Sequence, residues 1–221
     1  MRWPDAADVR EHITDANDGI LAVAGFSEGL VGAGLASTEV FGIIGISAIA
    51  GAVSVAGAKL GEVAAHRDAE QRLVEQERRL LELTPDEEIA ELAEYYEAKG
   101  VSAVTARAVA EELSTADALS AQLEVEYGIR ELTQPGQASR EAVWSGVAFL
   151  LGAGIPVAMA FLFPGDWLDE FTLLAVVIAL ATSGLVLAKL GGTRVWRSLL
   201  RSVLIGLASL GASYLVGSWL F

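Results

Sequence analysis

The chain has 221 residues, a mean hydropathy of +0.46 and a formal net charge of −14, with 20% of its residues charged. A chain both apolar on average and highly charged must segregate the two properties along its length, which points to membrane segments joined to a charged soluble part. The acidic balance argues against a nucleic-acid partner, the absence of cysteine excludes disulfides and thiolate metal sites, and His12 and His66 are too few for an imidazole-based zinc site, so any bound metal would rest mainly on oxygen.

Residues 1–17 carry Asp5, Asp8, Glu11 and Asp15 with no basic region leading into an apolar core, so they read as a cytosolic N-terminal segment and not as a cleavable signal. Five stretches approach the ~20 apolar residues that a membrane span needs. The first, 19–35, has Glu28 inside it, and the second covers 40–60; together they make a membrane unit over 18–66. The third, fourth and fifth, 142–163, 171–188 and 199–221, make a second membrane unit over 139–221. Lysine and arginine near the span ends set the orientation. Lys189, Arg194, Arg197 and Arg201 cluster between the fourth and fifth spans, Arg67 and Arg72 follow the second, and Arg140 precedes the third. The loop with Asp166, Asp169 and Glu170 has no basic residue, and neither does the short loop at 35–39. These positions agree on a cytosolic N-terminus and central segment and an external C-terminus. With no targeting signal, the expected location is a bacterial inner membrane.

Small residues recur at helical spacing within the spans: Gly25 and Gly29, Ser54 and Ala58, and the series Ser209, Ser213, Gly217. Such faces let helices approach closely in lipid, either within one chain or between subunits.

The central segment, 67–138, is acidic and reads as a cytosolic bundle of short helices. Residues 68–83 are charged and favour a helix. Thr84-Pro85-Asp86-Glu87 has the form of a helix start, with Thr84 as N-cap, Pro85 in the first turn and Glu87 closing a capping box. That helix should run to Ala98 and stop at Gly100, with Ile89, Leu92, Ala93 and Tyr96 as its apolar stripe. Ser102 should cap a third helix to Leu113, and Ser114 or Thr115 a fourth that ends at Gly128. Glu88 and Glu91 share a helix face, Glu77 lies on the preceding helix and Glu126 ends the fourth. Converging carboxylates can bind a divalent cation, because the cation offsets their mutual repulsion; a solvated acidic surface is the plainer alternative.

Asn17-Asp18-Gly19-Ile20 opens the first span, Ala50-Gly51-Ala52-Val53-Ser54 lies in the second, and the insert contains Thr84-Pro85-Asp86-Glu87-Glu88 and Ala116-Asp117-Ala118-Leu119. In this order, with two spans before the acidic insert and three after it, the chain resembles the vacuolar iron transporter family, also called nodulin-21-like, from Asp15 onward. The resemblance implies a homodimer with a pore between subunits. It implies export of ferrous iron (Fe2+), with Mn2+ or other divalent ions as further cargo, in exchange for protons, and an insert that captures metal for the pore. By position Asp18 matches the pore-entry aspartate, and Glu77, Glu88, Glu91 and Glu126 match insert ligands. Several positions depart from the pattern. A family glutamate falls on Leu80, a methionine-bearing stretch on Gln122 and Leu123, and in the second span a methionine falls on Val55 and a glutamate on Lys59.

Counting back from the loop near Ser37 at ~1.5 Å per residue, Glu28 lies roughly 14 Å in, Asp18 roughly 28 Å and Lys59 roughly 33 Å. A carboxylate at mid-membrane is costly and usually functional. Lys59 is expected to pair with Asp18 or Glu62, or to snorkel to the interface. The sequence therefore predicts an all-α membrane protein of five spans with a cytosolic insert between the second and third, and no enzyme site. The transport path is expected to include Asp18, Glu28, Lys59 and Glu62, with one Glu28 from each chain meeting at a two-fold axis. The alternative is a non-transporting membrane protein whose acidic domain buffers metal or docks a basic partner.

Overall fold

The computed structural model describes residues 6–163 and 167–220. Among these, every regular element is helical: α1 (Ala6–Gly32), α2 (Ser37–Leu83), α3 (Pro85–Ala98), α4 (Ala103–Tyr127), α5 (Gln137–Leu162), α6 (Leu168–Gly191) and α7 (Val195–Leu220). The chain divides into two compact units, one of residues 1–60 with 139–221 and one of residues 61–138. Asp166 and the side chain of Asp169 lie outside the described residues.

Four helices are long and apolar enough to cross a bilayer: α2, α5, α6 and α7. They make the protein a multi-pass membrane protein. α1 is not among them, because its C-terminal part carries Asp15, Asp18 and Glu28. It nevertheless packs inside the first unit, against α6 and α7, with Ile20, Val23, Ala24, Ser27 and Glu28 all buried.

Two apolar clusters hold this unit together. Val23 of α1 joins Val40, Ile44, Ala48 and Ala52 of α2 and Phe149, Ala153 and Ala160 of α5. Ile20 and Ala24 join Val176 and Leu180 of α6 and Leu210 of α7. Glycine permits the closest crossings. A Cβ at Gly217 would overlap the Gly29 carbonyl, and one at Gly32 would overlap the Tyr214 carbonyl. Gly19 stands in the same relation to Phe149, and Gly152 to Ala16. The small faces at 25/29 and 209/213/217 therefore pack against each other within one chain. Along α2, by contrast, Gly42, Ser54, Gly57, Ala58 and Gly61 are exposed, with nothing within 4 Å of an added Cβ at Gly42, Gly57 or Gly61.

The second unit differs from expectation at three joints. Residues 68–83 are no separate helix, since α2 continues unbroken for 47 residues; no glycine or proline lies between Arg67 and Thr84 to stop it. Thr84 takes the N-cap position and Pro85 the first turn as read, but the Thr84 side chain makes no cap; its hydroxyl donates back to the Leu80 carbonyl (3.2 Å). Residues 103–127 form two helical pieces broken at Asp117, and the cap between them is neither Ser114 nor Thr115. Thr115 donates back to the Glu111 carbonyl (2.8 Å), while the Asp117 carboxylate accepts from the Ser120 N–H (3.1 Å) and hydroxyl (2.7 Å). The other boundaries form as read: Ser102 accepts from the Thr105 N–H, and Gly100 and Gly128 take positive φ at the two stops. Leu92, Ala93 and Ala110 form the core here, flanked by Ile89, Tyr96, Leu113 and Val125.

Candidate metal-handling sites

In the second unit the buried face of α2 repeats every seven residues as Val63, Glu70 and Glu77. Two carboxylates on a buried stripe are costly unless each is satisfied, and the fold treats them differently. Glu70 accepts from the Thr133 N–H (2.8 Å) and lies 3.2 Å from His66 Nε2, so it ties the segment after α4 to α2. Sequence reasoning missed this residue, although its spacing of seven from Glu77 was visible.

Glu77 is fully buried, and neither of its oxygens finds a conventional donor. What faces it is acid: the carboxyls of Glu88 on α3 and Glu126 on α4. Two carboxyls in contact away from water are stable only when they share a proton. Burial, and then the contacts with Glu88 and Glu126, push Glu77 up to about 7. Below that pH Glu77 is the partner that holds the proton, facing Glu88. Glu88, itself buried, is also raised, by desolvation first and by Glu91, Glu126 and Glu87, with the Glu77 hydrogen bond opposing them. Gln122 completes this centre, its amide donating to the Glu88 carbonyl (2.6 Å) and to Glu88 Oε2 (3.2 Å). The half-buried Tyr127 phenol, pushed up to about 12 by burial and by its hydrogen bond to the exposed Glu126, lies on the other side.

Glu77, Glu88 and Glu126 thus come together, while Glu91 is exposed on the next turn of α3. Among the described residues, however, no three His, Asp or Glu side chains form a group that could hold a metal ion. The centre is closed by a shared proton and an amide. Position 122, where the resemblance places sulfur, holds the amide that does this.

In the membrane unit, Asp18 is exposed midway along α1. Lys59 pairs with Glu11 (2.6 Å), a partner the sequence reading did not weigh. Helical counting places Glu11 two turns before Asp18 on the same face of α1, which brackets the estimated depth of Lys59. His12 sits against Trp144 with ring centres 6.3 Å apart, and buried atoms of His12, Asp15 and Asn17 lack hydrogen-bond partners among the described residues. Glu28 is 8% exposed inside a single chain. A carboxyl meeting its copy across a two-fold axis would instead lie on the protomer surface.

Residues 9–218 match the model of the VIT family. The chain belongs to the VIT family. It is also 34% identical to a protein of Acanthamoeba castellanii (strain ATCC 30010 / Neff) named vacuolar iron transporter, over 83% of this chain and 67% of that protein. The match spans both membrane stretches and the insert between them, so the departures at Val55, Lys59, Leu80, Gln122 and Leu123 occur within a VIT family chain.

Proposed function

We infer that this VIT family member is a divalent-metal transporter that carries ferrous iron out of the cytosol in exchange for protons. The observation that carries this reading is the family match across spans and insert together, beside a relative named as an iron transporter. In this reading Glu77, Glu88, Glu91 and Glu126 capture the ion. Metal displaces the proton that Glu77 and Glu88 share, since ligation and protonation compete for the same oxygens. All of these ligands are oxygen, so Mn2+ is a natural second cargo.

The homodimer expected from the resemblance would form along the exposed small-residue face of α2. The metal path would enter past Asp18, with Lys59 and Glu62 as further residues of the path. Glu28, inside each protomer, would carry the exchanged proton. Transport of Fe2+ into proteoliposomes with an internal pH dye tests this directly. Wild type should move metal and protons in opposite directions, and Glu28→Gln should abolish both while remaining folded. Uptake by Glu28→Gln with the wild-type pH profile would remove Glu28 from the mechanism.

The Lys59–Glu11 ion pair favours a second reading, because it places a cation where the family pattern has a glutamate. Under it the chain does not transport, and the acidic insert buffers metal. Metal binding by detergent-solubilised protein, with no uptake by wild-type proteoliposomes under any gradient, would select this reading over the first.

A further inference from the structure

We propose that the turn between α6 and α7, with the first two turns of α7, is a binding site for anionic phospholipid headgroups. It is built from Lys189, Arg194, Arg197 and Arg201, with Trp196 beside them. All five side chains are exposed, Trp196 to 72%. The protein is strongly acidic overall, yet no acidic residue follows Glu170. Among the described residues, none of the four cations has a carboxylate partner. A fifth basic group arrives from another helix, with Arg10 Nη2 of α1 lying 3.5 Å from the Leu190 carbonyl. The neighbouring carboxylates on α1 are Asp8 and Glu11, and Glu11 is committed to Lys59.

The site's depth identifies its occupant. α6 and α7 are both apolar enough to cross the bilayer, so the turn joining them lies at the headgroup layer. The 26 residues of α7 span about 39 Å at ~1.5 Å per residue, against a hydrocarbon core of ~30 Å. About six residues are left over, which puts Arg197 among headgroups and Arg201 at the hydrocarbon edge, within reach by snorkelling. Arg197 and Arg201 share one face of α7, about 6 Å apart along the axis, and Arg194 precedes them at the helix start, where its carbonyl accepts from the Ser198 N–H. Guanidinium forks at that spacing, near the positive end of a helix, suit phosphate oxygens. An exposed tryptophan at this level is the usual companion of a lipid interface. Zwitterionic lipid would leave the excess positive charge uncompensated, and anionic lipid neutralises it.

The test uses full-length protein in mild detergent, with lipid adducts counted by native mass spectrometry. Phosphatidylglycerol should bind in preference to phosphatidylcholine. The preference should fall about five-fold for each basic residue removed, in the series Arg197→Gln, then Arg197→Gln with Arg201→Gln, then both with Arg194→Gln. Arginine-to-lysine versions of the triple variant should retain most of it. A control triple in the other unit, Arg72→Gln, Arg78→Gln, Arg79→Gln, should leave it unchanged. Equal binding of the two lipids overturns the proposal, as does an equal loss in the control triple, which would reduce the effect to net charge. Displacement of the lipid by equimolar inorganic phosphate overturns it in favour of a soluble-anion site. If the triple variant does not fold, the single Arg197→Gln carries the same test.

Discussion

Replacing Glu77 by glutamine should stabilise the insert at alkaline pH and leave it unchanged at acid pH. The carboxyl is fully buried against Glu88 and Glu126 and titrates at about 7 in the fold, against 4.5 when free. The native state therefore holds a proton that the unfolded chain has released, so stability is greatest below 4.5 and falls as pH rises through about 7. The full difference corresponds to about 3 kcal/mol, a large fraction of what a small helical unit possesses. Glutamine keeps the shape and a donor towards Glu88 and cannot ionise. The assay is amide hydrogen exchange on the full protein in detergent, followed on peptides from α3 and α4 and corrected for the intrinsic pH dependence of exchange. Wild-type protection should fall by up to roughly a hundred-fold between pH 5 and pH 8, and Glu77→Gln should remain flat. If the insert captures metal, Mn2+ added at pH 8 should restore wild-type protection and leave the glutamine variant largely unaffected. Flat wild-type protection, or a variant that tracks wild type at both ends, would refute the shared-proton account.

Other perturbations probe other parts of the molecule. Gly217→Ala drives a methyl into the Gly29 carbonyl and should destabilise the membrane unit by roughly 1–3 kcal/mol, read as a lower melting temperature. Gly57→Leu meets open space within the chain; it should leave the monomer's melting temperature unchanged but convert a dimer to monomer by light scattering if α2 is the interface. Asp117→Ala removes a working cap and should cost about 1 kcal/mol in exchange protection of residues 118–127, whereas Thr84→Ala should be nearly silent. The Ser120 hydrogen bonds also hold Asp117 below the usual carboxylate range, so its cap should persist above pH 4 and weaken only as the pH falls further. Lys59→Ala leaves Glu11 without its partner; transport faster than wild type would identify the ion pair as a brake, and unchanged transport would confine it to structure.

The helical class and the last three spans were legible from hydropathy and charge segregation, because long apolar runs leave few alternatives in lipid. Helix stops at Gly100 and Gly128 were legible for the same local reason, a positive φ that glycine supplies cheaply. What escaped depends on contacts between distant segments. Thr84 and Thr115 have the chemistry of caps, but each hydroxyl has a helical carbonyl one turn back within reach, and that bond wins. Glu77, Glu88 and Glu126 could be nominated by position. That Glu77 and Glu88 share a proton, with Gln122 donating to Glu88 and the exposed Glu126 facing them, follows only from the burial of the first two together. Small-residue spacing marked which faces pack closely without saying against what: one set closes within the chain and the other is exposed.

The pairing of α1 with α7 also sets an order of events during synthesis. Gly29 meets Gly217, and Gly25 meets Ser213, so α1 finds its nearest neighbour in α7, made six helices later. About 160 residues separate them, which at ~5–20 residues per second amounts to roughly 10–30 s of translation. Throughout that interval α1, with Gly25, Gly29 and Gly32 on the face that α7 will cover, lacks that partner. A nascent chain arrested before residue 195 should therefore hold α1 loosely, accessible to water-borne reagents and extractable from the membrane. Completion of α7 is the step that locks the first helix in place.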